Sequence, residues 1–317
     1  MELPLIYKAK IESMFEGMKI APLKETSFEI TDDYKNEVQK GKHLIDDILK
    51  AKVYALMRMP ATFGAVYDVL LKTKEFYDGE ISSLIDVGAG TGAATIAANE
   101  LFNLKEITLL ERQKEMREIG EFIVSENEAL KSQSTWDMFD LSTENIQKSA
   151  DLVMASYVFN ELDPKYIKEA ILKMWNAANK LLVIVEPGTP LGSKIIQEIR
   201  SILITDGGYI VAPCPHMDKC PMNEKDWCHF STRVSRSKLY KQVKGVEVPY
   251  EDEKYSYIVF NKNECSRCSA RVIRHPYYSK ANVRLEVCSR NGLETLDIRK
   301  KDERYKKARK VNAGDSL

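Results

Sequence analysis

The spacing of apolar residues predicts helices in the first quarter of the chain. Apolar positions recur at helical intervals over residues 1–77. One predicted helix face contains Ile45, Ile48, Leu49, Val53 and Leu56. Pro60 predicts a break there, because a proline fits a helix without loss of a hydrogen bond only in the first turn. We expect a new helix to start at this proline and to run into the following domain.

Short apolar runs alternate with amphipathic stretches between about residues 83 and 206. The runs have the length of buried parallel strands and occupy residues 84–87, 107–110, 152–156 and 181–185, with a weaker strand at 134–138. We expect helices at about 92–103, 113–125, 163–179 and 190–205. This alternation predicts an α/β fold built on a doubly wound sheet.

The last third of the chain begins with a segment rich in prolines and cysteines. Runs in which apolar and polar residues alternate follow it. Runs at 255–260, 271–274, 283–288 and 293–298 predict antiparallel strands, and Asn291-Gly292 predicts a hairpin between the last two. We therefore predict three regions. They are an N-terminal helical region over residues 1–77, an α/β core over 78–206, and a Cys-rich loop with a β extension and a basic tail over 207–310.

Composition adds a charge asymmetry to this organisation. The 317 residues are 44% hydrophobic and 30% charged, as in globular proteins, and the formal net charge is zero. Residues 229–310 nevertheless hold 21 Lys and Arg against 10 Asp and Glu, so the C-terminal third is basic and the remainder of the chain is acidic. This asymmetry predicts contact with a polyanion such as RNA. A solvated surface with a charged tail is the simpler alternative, since residues 299–310 contribute eight of those cations.

The sequence shows neither a membrane span nor a targeting segment. No apolar run approaches the roughly 20 residues that a span requires, and the N-terminus lacks the basic and apolar segments of a signal peptide. We therefore expect a cytoplasmic protein with no membrane contact. In a reducing compartment, clustered cysteines are expected to be metal ligands or redox groups rather than disulfides.

A glycine-rich turn follows the first predicted strand. It reads Asp86-Val87-Gly88-Ala89-Gly90-Thr91-Gly92 and precedes a helix, a context in which glycines let the backbone approach a ligand closely. Glu111 ends the second strand 25 residues after Asp86, where its carboxylate can accept hydrogen bonds from a ribose diol. Asp137 or Asp140, after the third strand, is a candidate contact for an adenine ring.

The spacing of the glycines favours one cofactor class. A nicotinamide site requires Gly-x-Gly-x-x-Gly, whereas these glycines stand at 88, 90 and 92 with an acid two residues earlier. This spacing resembles the class I S-adenosylmethionine (SAM) methyltransferases. The resemblance implies that Gly88, Gly90 and Gly92 pack on the methionine part, that Asp86 helps to position it, and that Glu111 holds the ribose. A nicotinamide or flavin cofactor and an empty relic pocket are the alternatives.

All six cysteines fall between residues 214 and 288. Zinc sites usually pair cysteines as Cys-x(2–4)-Cys, and only Cys265 and Cys268 have that spacing. The gaps between Cys214, Cys220 and Cys228 are irregular and rich in proline. Such spacing suits a loop wrapped around a larger object, such as an iron–sulfur cluster held by four thiolates.

Other interpretations of the cysteines stay open. Structural zinc is one, and cysteines buried as small apolar groups without a metal are another. Pro213-Cys214 resembles the nucleophile pair of RNA cytosine-C5 methyltransferases only locally, because that pair follows strand four. The Cys-x3-Cys-x2-Cys spacing of radical SAM enzymes is absent from the sequence, so a cluster here is not expected to generate radicals.

Five segments spread over about residues 50–300 carry a joint resemblance to one family. They are Arg58-Met59-Pro60-Ala61-Thr62, the glycine turn, Pro213-Cys214-Pro215-His216 with Cys220-Pro221, Asp226-Trp227-Cys228-His229-Phe230, and Arg274-His275-Pro276 leading to Cys288. Together they resemble the methyltransferase-like assembly factors of the mitochondrial small ribosomal subunit and their bacterial relatives. The combination around the cysteines is far more specific than the glycine turn.

The resemblance implies a class I methyltransferase fold, a four-iron four-sulfur ([4Fe-4S]) cluster and binding to small-subunit ribosomal RNA during assembly. Carried over by position, the ligands are Cys214, Cys220, Cys228 and Cys288. Cys265 and Cys268 do not match the family pattern, and a rival set takes the fourth ligand from that pair.

Aromatic and imidazole side chains accompany the cysteines. His216 and His229 are expected to form hydrogen bonds beside the ligands rather than to ligate. Trp227 and Phe230 are expected to pack over the metal and exclude water. A stacked RNA base is the minor alternative for these two rings.

Tyr277 and Tyr278, beside Arg274 and Lys280, are candidates for RNA contact, with an ordinary strand-edge surface as the alternative.

We predict a monomeric, SAM-binding iron–sulfur protein that binds small-subunit ribosomal RNA and assists ribosome assembly and translation. The alternative is an RNA or protein methyltransferase with structural zinc. No catalytic residue is assigned, because residues 160–164 lack the Asn-Pro-Pro-Phe or Asp-Pro-Pro-Tyr motif of amino methylation.

Overall fold

The structure is a computed structural model that describes residues 1–35, 45–223 and 226–317. Its helices are α1 (Leu5–Ser13), α2 (Ile20–Lys35), α3 (Ile48–Lys74), α4 (Ala93–Asn99), α5 (Lys114–Val124), α6 (Glu128–Gln133), α7 (Ile167–Ala177), α8 (Pro190–Thr205), α9 (Lys238–Lys244) and α10 (Tyr305–Ala308). Short 3-10 helices span Phe159–Glu161 and Pro164–Tyr166. None of the helices in these described ranges is long and apolar enough to cross a membrane.

The strands form a large sheet and a smaller one. They are β1 (Ser83–Val87), β2 (Glu106–Glu111), β3 (Ser134–Met138), β4 (Ala150–Ser156), β5 (Ala178–Pro187), β6 (Tyr209–Ala212), β7 (Phe230–Ser235), β8 (Tyr250–Asn261), β9 (Ala270–Val272), β10 (Tyr277–Tyr278), β11 (Asn282–Ser289) and β12 (Gly292–Arg299). All five strands predicted for the α/β core are present within about three residues of their expected ends.

The large sheet has the strand order β3-β2-β1-β4-β5-β8-β6, with β7 paired to β8. Strands β1 to β5 are parallel, whereas β8 is antiparallel to its neighbours β5, β6 and β7. This order confirms the predicted class I methyltransferase sheet. Because the order reverses between β1 and β4, a crevice opens at the carboxyl ends of these strands, where open α/β sheets bind their ligands.

Alternate residues of the central strands face opposite helical layers. Leu84 packs into the core formed with α3, α4 and α5, whereas its neighbour Ile85 packs into the core formed with α7 and α8. The two-residue period of a strand produces this division. Since both side chains are fully buried, truncating either to alanine would cost about 2–5 kcal/mol. The sheet therefore provides a rigid base for the loops at its edge.

Helix α3 passes through Pro60, so the break predicted there is wrong. An internal proline removes a hydrogen bond and costs about 3 kcal/mol. The helix continues because it buries side chains on both sides of the proline, including Val53 and Leu56 before it and Phe63 and Val66 after it. Tertiary packing thus outweighs the local preference. Residues 36–44 of the predicted helical region 1–77 lie outside the described residues.

The large sheet continues past the boundary predicted at residue 207. Strands β6, β7 and β8 all belong to it, and β8 lies between β5 and β6 rather than in the C-terminal extension. Residues Tyr255 to Asn261 of β8 are buried throughout. A continuous apolar run of this kind is typical of a strand covered on both faces.

The smaller sheet is antiparallel and carries its own core. Strand β11 lies in its centre, paired with β12 on one edge and with β9 and β10 on the other. Ser289 pairs with Gly292 at the end of the predicted hairpin, which is thereby confirmed. The core of this sheet includes Val272, Leu285 and Val287, which are buried against one another. Cys288, beside this hairpin, faces the loop that precedes β7, and its sulfur lies 3.6 Å from the Nε2 of His216.

Candidate cofactor cleft and cysteine cavity

The glycine turn closes tightly between β1 and α4. Gly88, Gly90 and Gly92 have positive φ values of 66°, 56° and 83°, which side chains rarely tolerate. The amide nitrogens of Gly88 and Ala89 donate to the carbonyl of Leu110 at 2.8 and 3.1 Å. A Cβ at Gly88 would lie 2.4 Å from a methyl group of Val158. Glycine is therefore required for the turn to approach the strands beside it.

Glu111 fastens this turn to the end of β2. One carboxylate oxygen accepts the Gly90 N–H and the other accepts the Gln113 N–H, each at 2.8 Å. Burial raises the pKa of Glu111, and the backbone hydrogen bonds oppose that rise. Each carboxylate oxygen has a second lone pair, so Glu111 can still accept hydrogen bonds from a ligand.

A cleft of about 680 Å³ opens beside the turn. Its wall includes Gly88, Gly90 and Glu111, together with Tyr157 and Val158 after β4. The structure thus brings three of the predicted cofactor residues together around one cleft.

Two acids predicted to follow the third strand were candidates for an adenine contact, and they lie in different places. Asp140 lines the cleft, and one of its carboxylate oxygens accepts the backbone N–H and the hydroxyl of Ser142. Asp137 lies on β3, outside the wall that the described residues form. Asp140 is therefore the acid positioned to meet a ligand there.

Asp86 and Gly92 support the turn from behind rather than line the cleft. The side chain of Asp86 is 0% exposed and accepts the Thr95 hydroxyl of α4 at 2.7 Å, while its other oxygen has no hydrogen-bond partner among the described residues. Burial raises the pKa of Asp86 to about 7. Gly92 is the residue before α4. Asp86 therefore joins the end of β1 to α4, an indirect role that the sequence pattern did not separate from direct contact.

Tyr157 and Arg58 form a polar cluster at the cleft that the sequence reasoning missed. Tyr157 has a positive φ of 60°, and its hydroxyl donates to Glu253 at 2.8 Å. Arg58 of α3 pairs with the same carboxylate at 3.1 Å. Burial raises the pKa of Tyr157 well above its ordinary value. The position of Tyr157 directly after the fourth strand was the available sequence signal.

Glu186 shapes the segment that follows β4. Its carboxylate accepts the backbone N–H groups of Phe159 and Asn160 at 2.9 and 3.0 Å. Burial raises the pKa of Glu186 to about 8. The side-chain amide of Asn160 also lies 3.0 Å from this carboxylate, and we assign its nitrogen to the facing position because the carboxylate can only accept a hydrogen bond. Asn160 and Glu161 thus belong to a short turn held by Glu186.

A second cavity of about 590 Å³ is lined by all four predicted ligands. Cys214 and Cys220 come from the loop after β6, Cys228 comes from the segment before β7, and Cys288 comes from β11. The fold therefore collects three thiols from the segment between β6 and β7 and one from a strand of the smaller sheet. A cis peptide bond precedes Pro213 at the start of this loop.

The four thiols are close enough to influence one another. Burial and the neighbouring sulfurs of Cys214, Cys220 and Cys288 raise the pKa of Cys228. Burial and the neighbouring sulfurs of Cys214, Cys220 and Cys268 raise the pKa of Cys288 to about 12. Within the described ranges, no three His, Cys, Asp or Glu side chains form a group that could hold a single metal ion. The sulfurs line the walls of the cavity instead.

The histidines and aromatic rings divide between the cavity and its surroundings. His216 lines the cavity with its Nε2 3.6 Å from the Cys288 sulfur, and Phe230 lines it as well. Trp227 instead donates its indole N–H to the Gly188 carbonyl at 2.9 Å and stacks on His229. Trp227 therefore anchors the loop, and of the two predicted covering rings only Phe230 belongs to the described wall.

Cys265 and Cys268 lie behind the cavity wall. The Cys265 sulfur is 3.5 Å from the Ile210 carbonyl, and the Cys268 sulfur is 3.7 Å from the Pro213 carbonyl. Neither residue belongs to the wall as the described part of the chain forms it. Both thiols support the end of β6 and the start of the loop that carries Cys214.

The predicted RNA-contact residues have unequal exposure and partners. Tyr277 is 67% exposed, and Tyr278 is exposed with Arg309 5.3 Å from its ring centre. Arg274 instead pairs with Asp226 and donates to the Trp227 carbonyl. Arg274 therefore holds the segment before Cys228 rather than standing beside the two tyrosines.

Comparison with known proteins relates the whole arrangement to one family. A family profile described as "Mitochondrial small ribosomal subunit Rsm22" matches residues 48–317. The human protein "Ribosome assembly protein METTL17, mitochondrial" is 24% identical over 197 residues, covering 56% of this chain and 42% of its own length. The "Rsm22-cox11 tandem protein 2, mitochondrial" of Schizosaccharomyces pombe is 22% identical, covering 97% of this chain and 48% of its own. The chain thus spans less than half the length of the curated relatives it matches.

Solved structures with a similar chain path include SAM-dependent enzymes. The magnesium protoporphyrin IX methyltransferase of Synechocystis has a TM-score of 0.43 and 13% identity, covering 74% of this chain and 91% of its own. The N-methyltransferase NodS of Bradyrhizobium japonicum has a TM-score of 0.43 and 12% identity, covering 74% of this chain and 99% of its own.

Proposed function

The chain belongs to the Rsm22 family, and on this premise we propose that it is a SAM-binding iron–sulfur protein that assists assembly of the small ribosomal subunit by binding its RNA. The named role of the human relative is ribosome assembly. The cytoplasmic location and the monomeric state expected from the sequence remain predictions. The names of the matched relatives place those proteins in mitochondria.

The observation that carries the proposal is the common cavity of the four cysteines. Cys214 and Cys288 are 74 residues apart in sequence, yet both line it with Cys220 and Cys228. Four thiolates are the usual ligand set of a [4Fe-4S] cluster. Burial and the neighbouring sulfurs raise the pKa of Cys228 and Cys288, so these thiols would stay protonated without a metal. A bound cationic metal centre would favour the thiolate forms.

The glycine cleft supports SAM as the second cofactor. Gly88 and Gly90 border the cleft with bare backbone, which suits close approach by the methionine part of SAM. Glu111 at the end of β2 would accept the ribose hydroxyls, and Asp140 lies where the adenine would be met. SAM supplies an activated methyl group when bound.

No catalytic residue is proposed on the acceptor side of the cleft. The segment after β4 is occupied by structural hydrogen bonds, with Glu186 holding Phe159 and Asn160 and with Glu253 holding Tyr157. These residues position the wall of the cleft. The proposal therefore concerns cofactor binding and RNA binding, and it contains no methyl-transfer step.

RNA contact is supported by the basic C-terminal third. Residues 299–310 hold eight cations. Tyr277 is exposed on β10, in the same sheet as β12, and β12 ends at the first of these cations, Arg299. Exposed aromatic rings and lysine or arginine side chains are the elements that bind unpaired RNA. The smaller sheet would therefore contact RNA while the large sheet carries the SAM cleft.

Crosslinking of the chain to RNA in cells, followed by sequencing of the bound fragments, tests this function. Enrichment of small-subunit ribosomal RNA is the expected result, and enrichment of messenger or transfer RNA instead would overturn the assembly role. Arg309→Ala should reduce the crosslinked yield. Arg233→Ala is the matched control, because Arg233 also packs on a tyrosine, Tyr250, but lies on β7 of the large sheet.

A further inference from the structure

Two arginines are buried on the wall of the cysteine cavity with part of their hydrogen-bonding capacity unused. Arg200 is 4% exposed and Arg271 is 1% exposed, and both line the cavity. The Nε of Arg200 and one terminal nitrogen of Arg271, Nη2, have no hydrogen-bond partner within the described ranges. A buried donor without a partner destabilises the fold, and the penalty is larger when the donor is charged. Such donors in a cavity wall indicate an acceptor that occupies the cavity.

Arg200 reaches the cavity from α8. It lies four residues after Ile196 on the buried face of that helix. Its guanidinium donates to the carbonyls of His216 and Asp218 in the cysteine loop. Cys214 lines the same cavity, where burial raises the pKa of its thiol and the positive charge of Arg200 opposes that rise. Arg200 therefore holds the backbone of the loop and lies near its first cysteine.

Arg271 reaches the cavity from β9. It is the direct cross-strand neighbour of Cys288 on β11, so the two side chains lie on the same face of the sheet. Its Nε donates to the Pro213 carbonyl at 3.1 Å, and Nη1 donates to the Gly314 carbonyl at 2.9 Å. These bonds hold the residue before Cys214. The remaining nitrogen, Nη2, is the unpaired donor.

The two buried charges lack a close counter-ion. No carboxylate within the described residues forms an ion pair with Arg200 or Arg271, and Glu75 acts on Arg271 only through longer-range attraction. A buried charge without a partner is unfavourable. A [4Fe-4S] cluster with four thiolate ligands carries a net negative charge, and its sulfur atoms accept hydrogen bonds. A bound cluster would therefore supply both the hydrogen-bond acceptors and the negative charge that the two arginines lack.

We propose that Arg200 and Arg271 are the counter-charges of the cluster, and that their unpaired N–H groups donate to its sulfur atoms and raise its reduction potential. One-electron reduction makes the cluster more negative, so nearby cations and N–H donors stabilise the reduced form more than the oxidised form. This inference rests on the proposed function, because it requires the cluster to be bound.

The alternative is that both arginines only hold the loop in place. Variants that differ in charge distinguish this role from that of a counter-charge. Lysine keeps the positive charge but cannot reproduce the forked hydrogen bonds of arginine to the loop carbonyls. Glutamine loses the charge while keeping an N–H donor. If the arginines only hold the loop, both replacements should behave alike. If they act as counter-charges, only glutamine should shift the reduction potential strongly.

The test is a redox titration of the anaerobically purified full chain with mediators, followed by electron paramagnetic resonance. Arg200→Gln and Arg271→Gln should each lower the ratio of reduced to oxidised cluster at least tenfold at a fixed potential, which is 59 mV for a one-electron couple. Arg200→Lys and Arg271→Lys should stay near the wild-type ratio. Arg233→Gln, at an exposed site paired with Asp252, is the control and should leave the ratio unchanged.

Each outcome decides the question. Equal shifts in the lysine and glutamine variants, or no shift in any, would overturn the counter-charge role. Loss of the cluster from the glutamine variants alone, with lysine variants that keep the wild-type ratio, supports it. Loss from all four overturns it, because the hydrogen-bond geometry would then decide retention. A wild-type chain without a cluster overturns the proposed function as well, which distinguishes the two failures.

Discussion

Replacing Gly90 with leucine is a sharp test of the glycine cleft as the SAM site. Gly90 has a φ of 56°, and it lies on the wall of the cleft next to Glu111. A Cβ added there would lie 3.3 Å from the terminal methyl of Met116, which also lines the cleft. A leucine must therefore either displace Met116 or extend into the space that the cofactor would occupy.

The expected magnitudes come from the backbone and from the cleft separately. Forcing a residue with a Cβ into the left-handed region costs about 1–2 kcal/mol of folding free energy. Gly245→Leu should cost a similar amount, because Gly245 has a φ of 69° and a Cβ there would meet no atom within 4 Å. Only Gly90→Leu should also weaken SAM binding, by at least tenfold, or about 1.4 kcal/mol.

Urea denaturation and calorimetric titration with SAM measure these two quantities on the same preparations. Both variants should lose similar unfolding free energy, and Gly245→Leu should bind SAM like the wild type. Iron content should be unchanged in both, since the cysteine cavity is separate from the cleft. Equal SAM affinity in all three chains would refute the assignment of the cofactor to the glycine turn.

Further predictions address pH, the loop anchor and RNA. Burial raises the pKa of Glu186 from 4.5 to about 8, so folding stability should fall as pH rises through that interval, and Glu186→Gln should flatten the fall in urea denaturation; an unchanged slope would contradict it. Trp227→Phe removes the hydrogen bond to the Gly188 carbonyl and should lower the unfolding free energy by about 1 kcal/mol. An unchanged unfolding free energy would show that this hydrogen bond does not stabilise the fold. Tyr277→Ala should weaken RNA binding by about 1–3 kcal/mol in a filter-binding assay without altering stability; unaltered affinity would exclude stacking at this ring.

The α/β core could be predicted because its signals are local. Apolar runs covered on both faces specify the central strands, and Thr189 with Pro190 specifies the start of α8. The continuity of α3 through Pro60 could not be predicted, since it depends on what packs against the helix. The place of β8 in the large sheet could not be predicted either, because a strand pattern does not identify its partners.

The candidate site divides in the same way. The glycine turn and Glu111 were visible in the sequence, and the cysteine set came from the family resemblance. Arg200 left a signal that was not used, a charged residue on the apolar face of α8 beside Ile196. Arg271 left none, because its position depends on cross-strand pairing with Cys288.

Metal analysis of the chain purified without oxygen tests the central claim most directly. The account predicts a brown protein with about four iron and four sulfide per chain. Cys288→Ser should lose the colour, whereas Cys268→Ser, which changes a thiol behind the cavity wall, should keep it. A colourless protein with stoichiometric zinc, or a colour that depends on Cys268 and survives the loss of Cys288, would contradict the account.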